Sequence, residues 1–252
     1  MTRIVHVFST FDAGGPQVRA VSVFAAMPGV EHVVIPMDGR SGAAELLTPG
    51  THARVVLPPP EGRKTLFYGL TTLRPFLRDL RPDLLVTSNW GAIDAVIASR
   101  LERVAPVVHC EDGFLPDEAR ARKLRRRLAR FALLNTIHAT VVPSRTLMEI
   151  ARREFGIATS RLRFIANGID LRRFRVRRDP SWRRAQRIPD DALVVGSIGG
   201  LRVEKDLPVL LHAFAIARTP DTWLAVVGDG PDRGRLAGDL QSSRRQRRRR
   251  FV

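Results

Sequence analysis

The sequence predicts an α/β protein with two parallel β-sheets, a large doubly wound one followed by a shorter one. Three observations carry this reading. Over the first two-thirds of the chain, short apolar runs alternate with helix-length stretches, the order expected of a parallel sheet with helices on both faces. That alternation lapses into LRRFRVRRDPSWRRAQRIPD, between Asp170 and Asp191, and then resumes. The punctuation also fits: Arg-Pro-Asp at Arg81–Asp83 reads as a helix stop followed by a strand start.

Taken in order, strands are expected at Ile4–Phe8, Val33–Pro36, Val55–Leu57, Leu84–Thr87, Val107–His109, Thr140–Val142 and Phe164–Ala166. Helices are expected between them at Val18–Met27, Leu66–Leu80, Ala92–Val104, Glu118–Asn135 and Arg145–Phe155, with Ser144 placed to cap the last. The second run has strands at Leu193–Ile198 and Trp223–Val227. The expected organisation is a Rossmann-like domain over residues 1–170, a linker over 171–190, a partial second domain over 191–240 and a basic disordered tail over 241–252. At about 60 residues from Asp191 onward, the second part falls below the ~100 of a self-standing domain of this class. Two parallel strands with two helices would leave it poorly closed.

Composition narrows the function. The 252 residues are 44% hydrophobic, as in a globular protein. No apolar run reaches the roughly 18 residues of a membrane helix, and MTRIVHVFST leads into a strand pattern instead of a secretory signal. The single cysteine, Cys110, excludes an internal disulfide framework and fits a reducing cytoplasm. Singly scattered histidines exclude a zinc site of the usual spacing. Lys and Arg total 42 against 25 acidic residues, a net charge of +17 that points to nucleic acid or an anionic lipid surface. The bias of arginine over lysine also fits a GC-rich coding sequence. Aromatic residues make up only 6%, and no motif that reads DNA or RNA is present, so no dedicated nucleic-acid binding is expected.

Four places carry chemistry. In STFDAGGPQVRA, Gly14 and Gly15 precede a helix whose free N–H groups could face an anion; a tight turn explains them equally well. VVHCEDGF puts His109, Glu111 and Asp112 at the carboxyl end of a parallel strand, the edge where such sheets bind ligands. A core histidine and an ordinary Asp-Gly turn are the plainer readings. In ARARKLRRRLARFALL, Leu124, Leu128 and Phe131 fall at i, i+4 and i+7, which predicts an amphipathic helix with those residues inward and a cationic outer face. Finally, LVVGSIGGLRVEKDLPVLLHAFAIAR and WLAVVGDGPDRGRLAGDL each run from a strand through a glycine-bearing turn into a helix.

These last segments, together with VVPSRTLMEIARREFGIATSRLRFIANGID from Val141, resemble retaining glycosyltransferases of family 4, which have the GT-B fold. The resemblance runs from about Ile4 to Leu240. It implies a GT-B-like fold with an acceptor-side first domain and a donor-binding second one. It also implies transfer of a sugar from a nucleotide-diphosphate sugar to an acceptor hydroxyl with retention, the donor phosphate serving as base, with no cofactor or catalytic metal. By resemblance, His109 contacts the donor sugar as the catalytic residue. Lys205 and Arg202 neutralise the diphosphate, the family's usual arginine position being Gly200 here. Gly14, Gly15, Gly228 and Gly230 line the donor, while Glu111 and Asp112 hold acceptor hydroxyls. A lipid-linked sugar acceptor would place the protein in the cytoplasm, peripherally on the inner face of the membrane. The family's later pair of glutamates has no counterpart after Leu240, where the chain reads QSSRRQRRRRFV, so truncation and little activity are expected. The alternative is a non-catalytic basic module that binds anionic membrane or nucleic acid by phosphate neutralisation alone.

Overall fold

The strand at Thr2–Phe8 (β1) has five consecutive buried residues from Ile4, the mark of a strand covered on both faces. In the computed structural model it is an interior strand, third of the seven in its sheet. Residues 1–59, 68–114, 118, 123–172, 174, 180–217, 219, 221–242 and 250–251 are described. They divide into two units, Met1–Ile169 and Asp170–Val252.

In the first unit β1 is joined by Val30–Pro36 (β2), Ala53–Val55 (β3), Leu84–Ser88 (β4), Val107–Cys110 (β5), Ala139–Val142 (β6) and Leu162–Phe164 (β7). The order is β3-β2-β1-β4-β5-β6-β7, every pair parallel. The chain winds outward from β1 to β3, then returns to lay β4 on the other side of β1. The connections that follow β1 and β4 therefore leave in opposite directions, which opens a crevice at the carboxyl ends of these two strands.

Helices Gly15–Ala25 (α1), Arg74–Asp79 (α2), Ile93–Glu102 (α3), Leu124–Leu134 (α4) and Arg145–Arg153 (α5) lie between the strands. Residues alternate across the sheet. Val5, Val7, Val33 and Ile35 pack with Leu77 of α2 and Val96 of α3. Phe8 and Val34 pack with Val21 and Phe24 of α1. Two histidines share that second face, His6 Nε2 lying 3.0 Å from His32 Nδ1 with the Phe24 ring against both.

Boundaries shift where ladder pairing, not apolarity, decides. β3 ends at Val55, which pairs with Val34, and leaves Leu57 exposed. β7 begins at buried Leu162, opposite Thr140, and leaves Ile165 exposed. The expected helix from Leu66 begins outside the described residues; it continues as a widened turn at Gly69–Leu73 and then α2, with Pro75 in the first turn of α2. Ser144 caps α5 as expected, its Oγ accepting from the Leu147 N–H at 3.1 Å.

In the second unit, Leu193–Ile198 (β8), Thr222–Val227 (β9) and Arg250–Phe251 (β10) form a parallel sheet in the order β10-β9-β8. Pro180–Ala185 (α6) falls within the expected linker, and Leu207–Ala217 (α7) and Arg233–Ser242 (α8) follow β8 and β9. Leu207, Leu211, Phe214, Leu224, Val226 and Leu236 form its core. The edge strand β8 is largely open, Ile198 being 85% exposed. The sequence predicts a tail from residue 241; α8 runs to Ser242, and residues 243–249 lie outside the described residues.

Candidate functional site

The crevice beside β1 holds a cavity of about 280 Å3. Three loops meet there because Gly91, after β4, lies flat against Ser9, after β1: a Cβ at Gly91 would sit 2.2 Å from that of Ser9. Ser9 and Pro16 line one side, Asn89, Trp90 and Gly91 another, and Asp112, Gly113 and Phe114 a third, with Glu118 and Arg130 also lining it. A second, shallower cavity of about 440 Å3 lies near the opposite ends of the strands, lined by Arg78, Arg81, Pro82, Asp83 and Val104. Parallel sheets seldom bind ligands at that end.

Asn89 ties the crevice together. Its N–H donates to the Cys110 carbonyl at 2.8 Å, and its Oδ1 accepts from the Asp112 N–H at 2.8 Å. To do both it adopts φ 59°, ψ 179°, a backbone region nearly reserved for glycine. The Asp112 carboxylate is gripped by Arg19 of α1, at 2.6 and 2.9 Å from its two oxygens. Arg19 also donates to Asn167 Oδ1, so the Gly-Gly helix, the Glu-Asp-Gly loop and the Asn-Gly turn converge on one guanidinium. Burial works against the Arg19 charge, but the hydrogen bond to Asp112 and the attraction of nearby negative charge together outweigh it and raise the pKa. The neighbouring Cys110 thiol is pushed up to about 11, by burial first and then by the Asp112 charge, so it stays protonated and unreactive at neutral pH.

His109 and Glu111 depart from expectation. His109 is wholly buried in the polar row Thr87–His109–Thr140 across β4, β5 and β6, and its Nδ1 lies 2.8 Å from Thr87 Oγ1. Its Nε2 has no hydrogen-bond partner among the described residues and lies 3.7 Å from Glu111 Oε2. As placed, His109 does not reach the cavity. Strand alternation carried it inward. Glu111 follows on the same face and is buried, its Oε2 bound by Arg130 Nε at 3.0 Å, and it is not among the residues that line the cavity. Asp112, one residue on, is the member of the pair that lines the cavity.

Beneath the cavity lies a charge network. Arg130 donates to both Glu111 and Glu118, and Arg126 donates to Glu118 at 2.8 Å. Both guanidinium groups lie over the Trp90 ring, 5.2 and 5.0 Å from its centre, and Arg130 also lies over Phe155 at 4.7 Å. Burial would raise the Glu118 pKa, but its hydrogen bonds to Arg130 and Arg126 prevail and hold it below the usual carboxylate range. This corrects the expected amphipathic helix: on α4 Arg126 and Arg130 are inside, and Leu124, Leu128 and Phe131 are outside, with Arg125. The physical reason is the set of aromatic rings and carboxylates waiting under the helix.

Gly14 is the N-cap residue of α1, with no side-chain cap. Gly15 is exposed with open space around it, and Pro16 follows in the first turn. The first helix therefore presents uncapped N–H groups at the crevice edge.

The second unit has its own cavity, of about 250 Å3, lined by Ser197, Gly199, Gly200, Leu201 and Lys205 among others. The loops after β8 and β9 are laced together: the Gly199 N–H donates to Val227 O at 3.0 Å, and the Leu201 N–H to Asp229 O at 2.9 Å. Gly228 and Gly230 make this approach possible. A Cβ at Gly228 would lie 1.9 Å from the Gly199 carbonyl oxygen, and one at Gly230 2.4 Å from that of Leu201. These two glycines build the cradle without lining it. Lys205 lines it, at the end of the turn Val203–Lys205, while Arg202 lies beside Gly200 and is exposed.

Sequence reasoning did not single out Asn89, Trp90 or Arg19. The first two carry a usable signal, standing at the carboxyl end of β4; Arg19 carries none, since its partner lies 93 residues away.

The sequence pattern of Glycosyltransferase Family 4 matches residues 14–173. The chain belongs to this family. No curated protein sequence matches it. Among solved structures, the whole chain superimposes on 69% of Anabaena HepE, a complex with UDP and glucose, at 19% identity and a TM-score of 0.76. It also superimposes on 70% of the sucrose-phosphate synthase from Thermosynechococcus elongatus, with 99% of this chain covered, 18% identity and a TM-score of 0.71. The lipopolysaccharide outer core galactosyltransferase WaaB is covered over 68% by the whole chain, at 12% identity and a TM-score of 0.67. The fold of this family 4 chain is thus that of the GT-B glycosyltransferases. Among its described residues no helix is long and apolar enough to cross a membrane, and no cluster of three His, Cys, Asp or Glu could hold a metal ion.

Proposed function

We propose that this protein takes a nucleotide-diphosphate sugar as donor and transfers the sugar to an acceptor hydroxyl with retention of configuration. The observation that carries the donor half is the cradle in the second unit, where two loops pressed backbone to backbone leave a cavity with Lys205 on its wall. Glycines there let a diphosphate approach the main chain, and Lys205, with Arg202 nearby, supplies cationic charge. That charge stabilises the leaving diphosphate as the bond from the sugar C1 to phosphate oxygen breaks. The acceptor hydroxyl gives its proton to a donor phosphate oxygen and forms the new bond on the same face of the sugar. UDP is bound by HepE, which shares the fold, and uridine nucleotides are the first donors to try.

The cavity of the first unit is read as the acceptor side. Asp112 and Asn89 offer oxygens to hydroxyl groups, and Trp90 and Phe114 offer apolar surface to a sugar ring. Gly14 and Gly15 place the uncapped start of α1 where it can meet negative charge. His109 and Glu111 act here through the protein, holding the strand end that carries Asp112.

The test is calorimetric titration of the full chain with UDP-glucose and with GDP-mannose, wild type against Lys205→Ala. Losing a charged contact of about 1.5–3 kcal/mol should weaken donor binding ~10- to 150-fold. Equal affinity in the variant, or no binding of any nucleotide sugar, would remove the donor assignment. Where turnover is seen, the anomeric configuration of the product by NMR decides retention.

A further inference from the structure

The wall of the first unit's cavity is balanced in charge. Among the described residues three charged side chains line it, Asp112, Glu118 and Arg130, and each is already matched. Arg19 holds the two oxygens of Asp112 at 2.6 and 2.9 Å. Arg126 and Arg130 hold Glu118 at 2.8 and 3.0 Å, and Arg130 also pairs with Glu111. Little water reaches these pairs: Glu111, Glu118 and Arg130 are buried, and the Asp112 side chain is 10% exposed. A charged ligand group would leave water for a wall with no counter-charge to spare, or would break a pair and strand one partner. Pro16, the residue of α1 that reaches the wall, has no N–H to offer an anion.

What the wall does offer suits hydroxyl groups. Ser9 Oγ and Asn89 Nδ2 have no hydrogen-bond partner among the described residues. The Asp112 oxygens keep lone pairs beyond those that Arg19 uses. Donors and acceptors thus stand side by side, as a group that both donates and accepts requires. Trp90 and Phe114 present apolar surface to the C–H face of a ring. At about 280 Å3 the cavity stands at the small end of the ~300–1,000 Å3 range of ligand pockets, room for one ring and not for a chain of them. We propose that the acceptor group bound here is a single uncharged sugar ring, and that the balanced wall selects it over uronates and amino sugars. This rests on the reading of the cavity as the acceptor side.

The experiment is a ligand-detected NMR titration of the full chain, without donor, at neutral pH. The probes are the methyl glycosides of glucose, galactose and mannose, each with its uronate and its 2-amino counterpart. At least one neutral glycoside should bind, roughly tenfold or more tightly than its charged counterparts. Two variants unbalance the wall in opposite senses, and circular dichroism confirms that they are folded. Arg19→Gln leaves Asp112 unmatched and should shift the preference about tenfold toward the 2-amino sugar. Asp112→Asn leaves Arg19 unmatched and should shift it toward the uronate. The double variant Arg19→Gln/Asp112→Asn is balanced again and should return to the wild-type ranking. A wild type that binds a charged sugar as tightly as the neutral one, or binds no glycoside, would overturn the proposal, as would single variants that leave the ranking unmoved. The donor reading is tested apart from this. A chain that binds UDP-glucose but ranks a charged sugar first loses only the present proposal, and one that binds a neutral glycoside but no nucleotide sugar loses only the donor assignment.

Discussion

A carboxylate held by two guanidinium nitrogens keeps its direction, and this shapes what Asp112 can do beside Arg19: it is suited to orienting a hydroxyl. Titration matters at this scale in the buried pair His6 and His32. Burial, followed by the neighbouring His32, lowers the His6 pKa from 6.5 to about 3, and burial also lowers that of His32. The folded state therefore binds fewer protons than the unfolded chain. This contribution to stability is fully present above pH 6.5 and is lost as the pH falls from there toward about 3. The urea midpoint of the first unit should fall steadily between pH 7 and pH 5, and His6→Leu should flatten the slope by up to ~1.4 kcal/mol per pH unit. A midpoint independent of pH in the wild type would contradict the buried neutral pair. Nothing in MTRIVHVFST announces this pair, because His32 enters only through the register of β1 and β2.

Among the elements, α4 shows most plainly what a pattern can and cannot say. Its period is legible, and an α-helix stands there, but periodicity does not reveal which stripe faces in. That choice belongs to Trp90, Phe155, Glu111 and Glu118, which come from other elements. The strands were easier to read. β4, β5 and β6 are short, mainly apolar runs between breakers, crossed by the row Thr87–His109–Thr140, whereas the edge strands β3 and β7 shifted because pairing sets their ends. The sequence marks the end of β5 as an edge where a ligand is expected, and it gives no candidate at the end of β4. That Asp112 faces the cavity and His109 the core was not legible, since strand parity at a loop junction depends on where the loop departs. The charge network makes a further prediction. Arg130→Met leaves Glu111 buried without a cation, and should cost the first unit about 3–5 kcal/mol. Adding Glu111→Gln should restore part of that loss, and chemical denaturation of the single and double variants measures it. A loss under ~1 kcal/mol would mean that the network is not the anchor of α4.

For the whole molecule, the division into Met1–Ile169 and Asp170–Val252 gives each unit its own hydrophobic core. Two cores of such unequal size predict two unfolding transitions by calorimetry, the smaller unit melting first. Addition of a bound nucleotide sugar should raise only the lower transition. A single transition, or a shift confined to the upper one, would refute this assignment of the ligand. The apolar periodicity of the sequence lapses after Asp170, the residue at which the second unit begins. Both cavities draw every lining residue from a single unit. Heredity can act on that arrangement. Recombination near residue 170 would pass on each cavity intact, so under the proposed assignment a lineage could change its donor by acquiring a new second half while inheriting its acceptor preference unaltered.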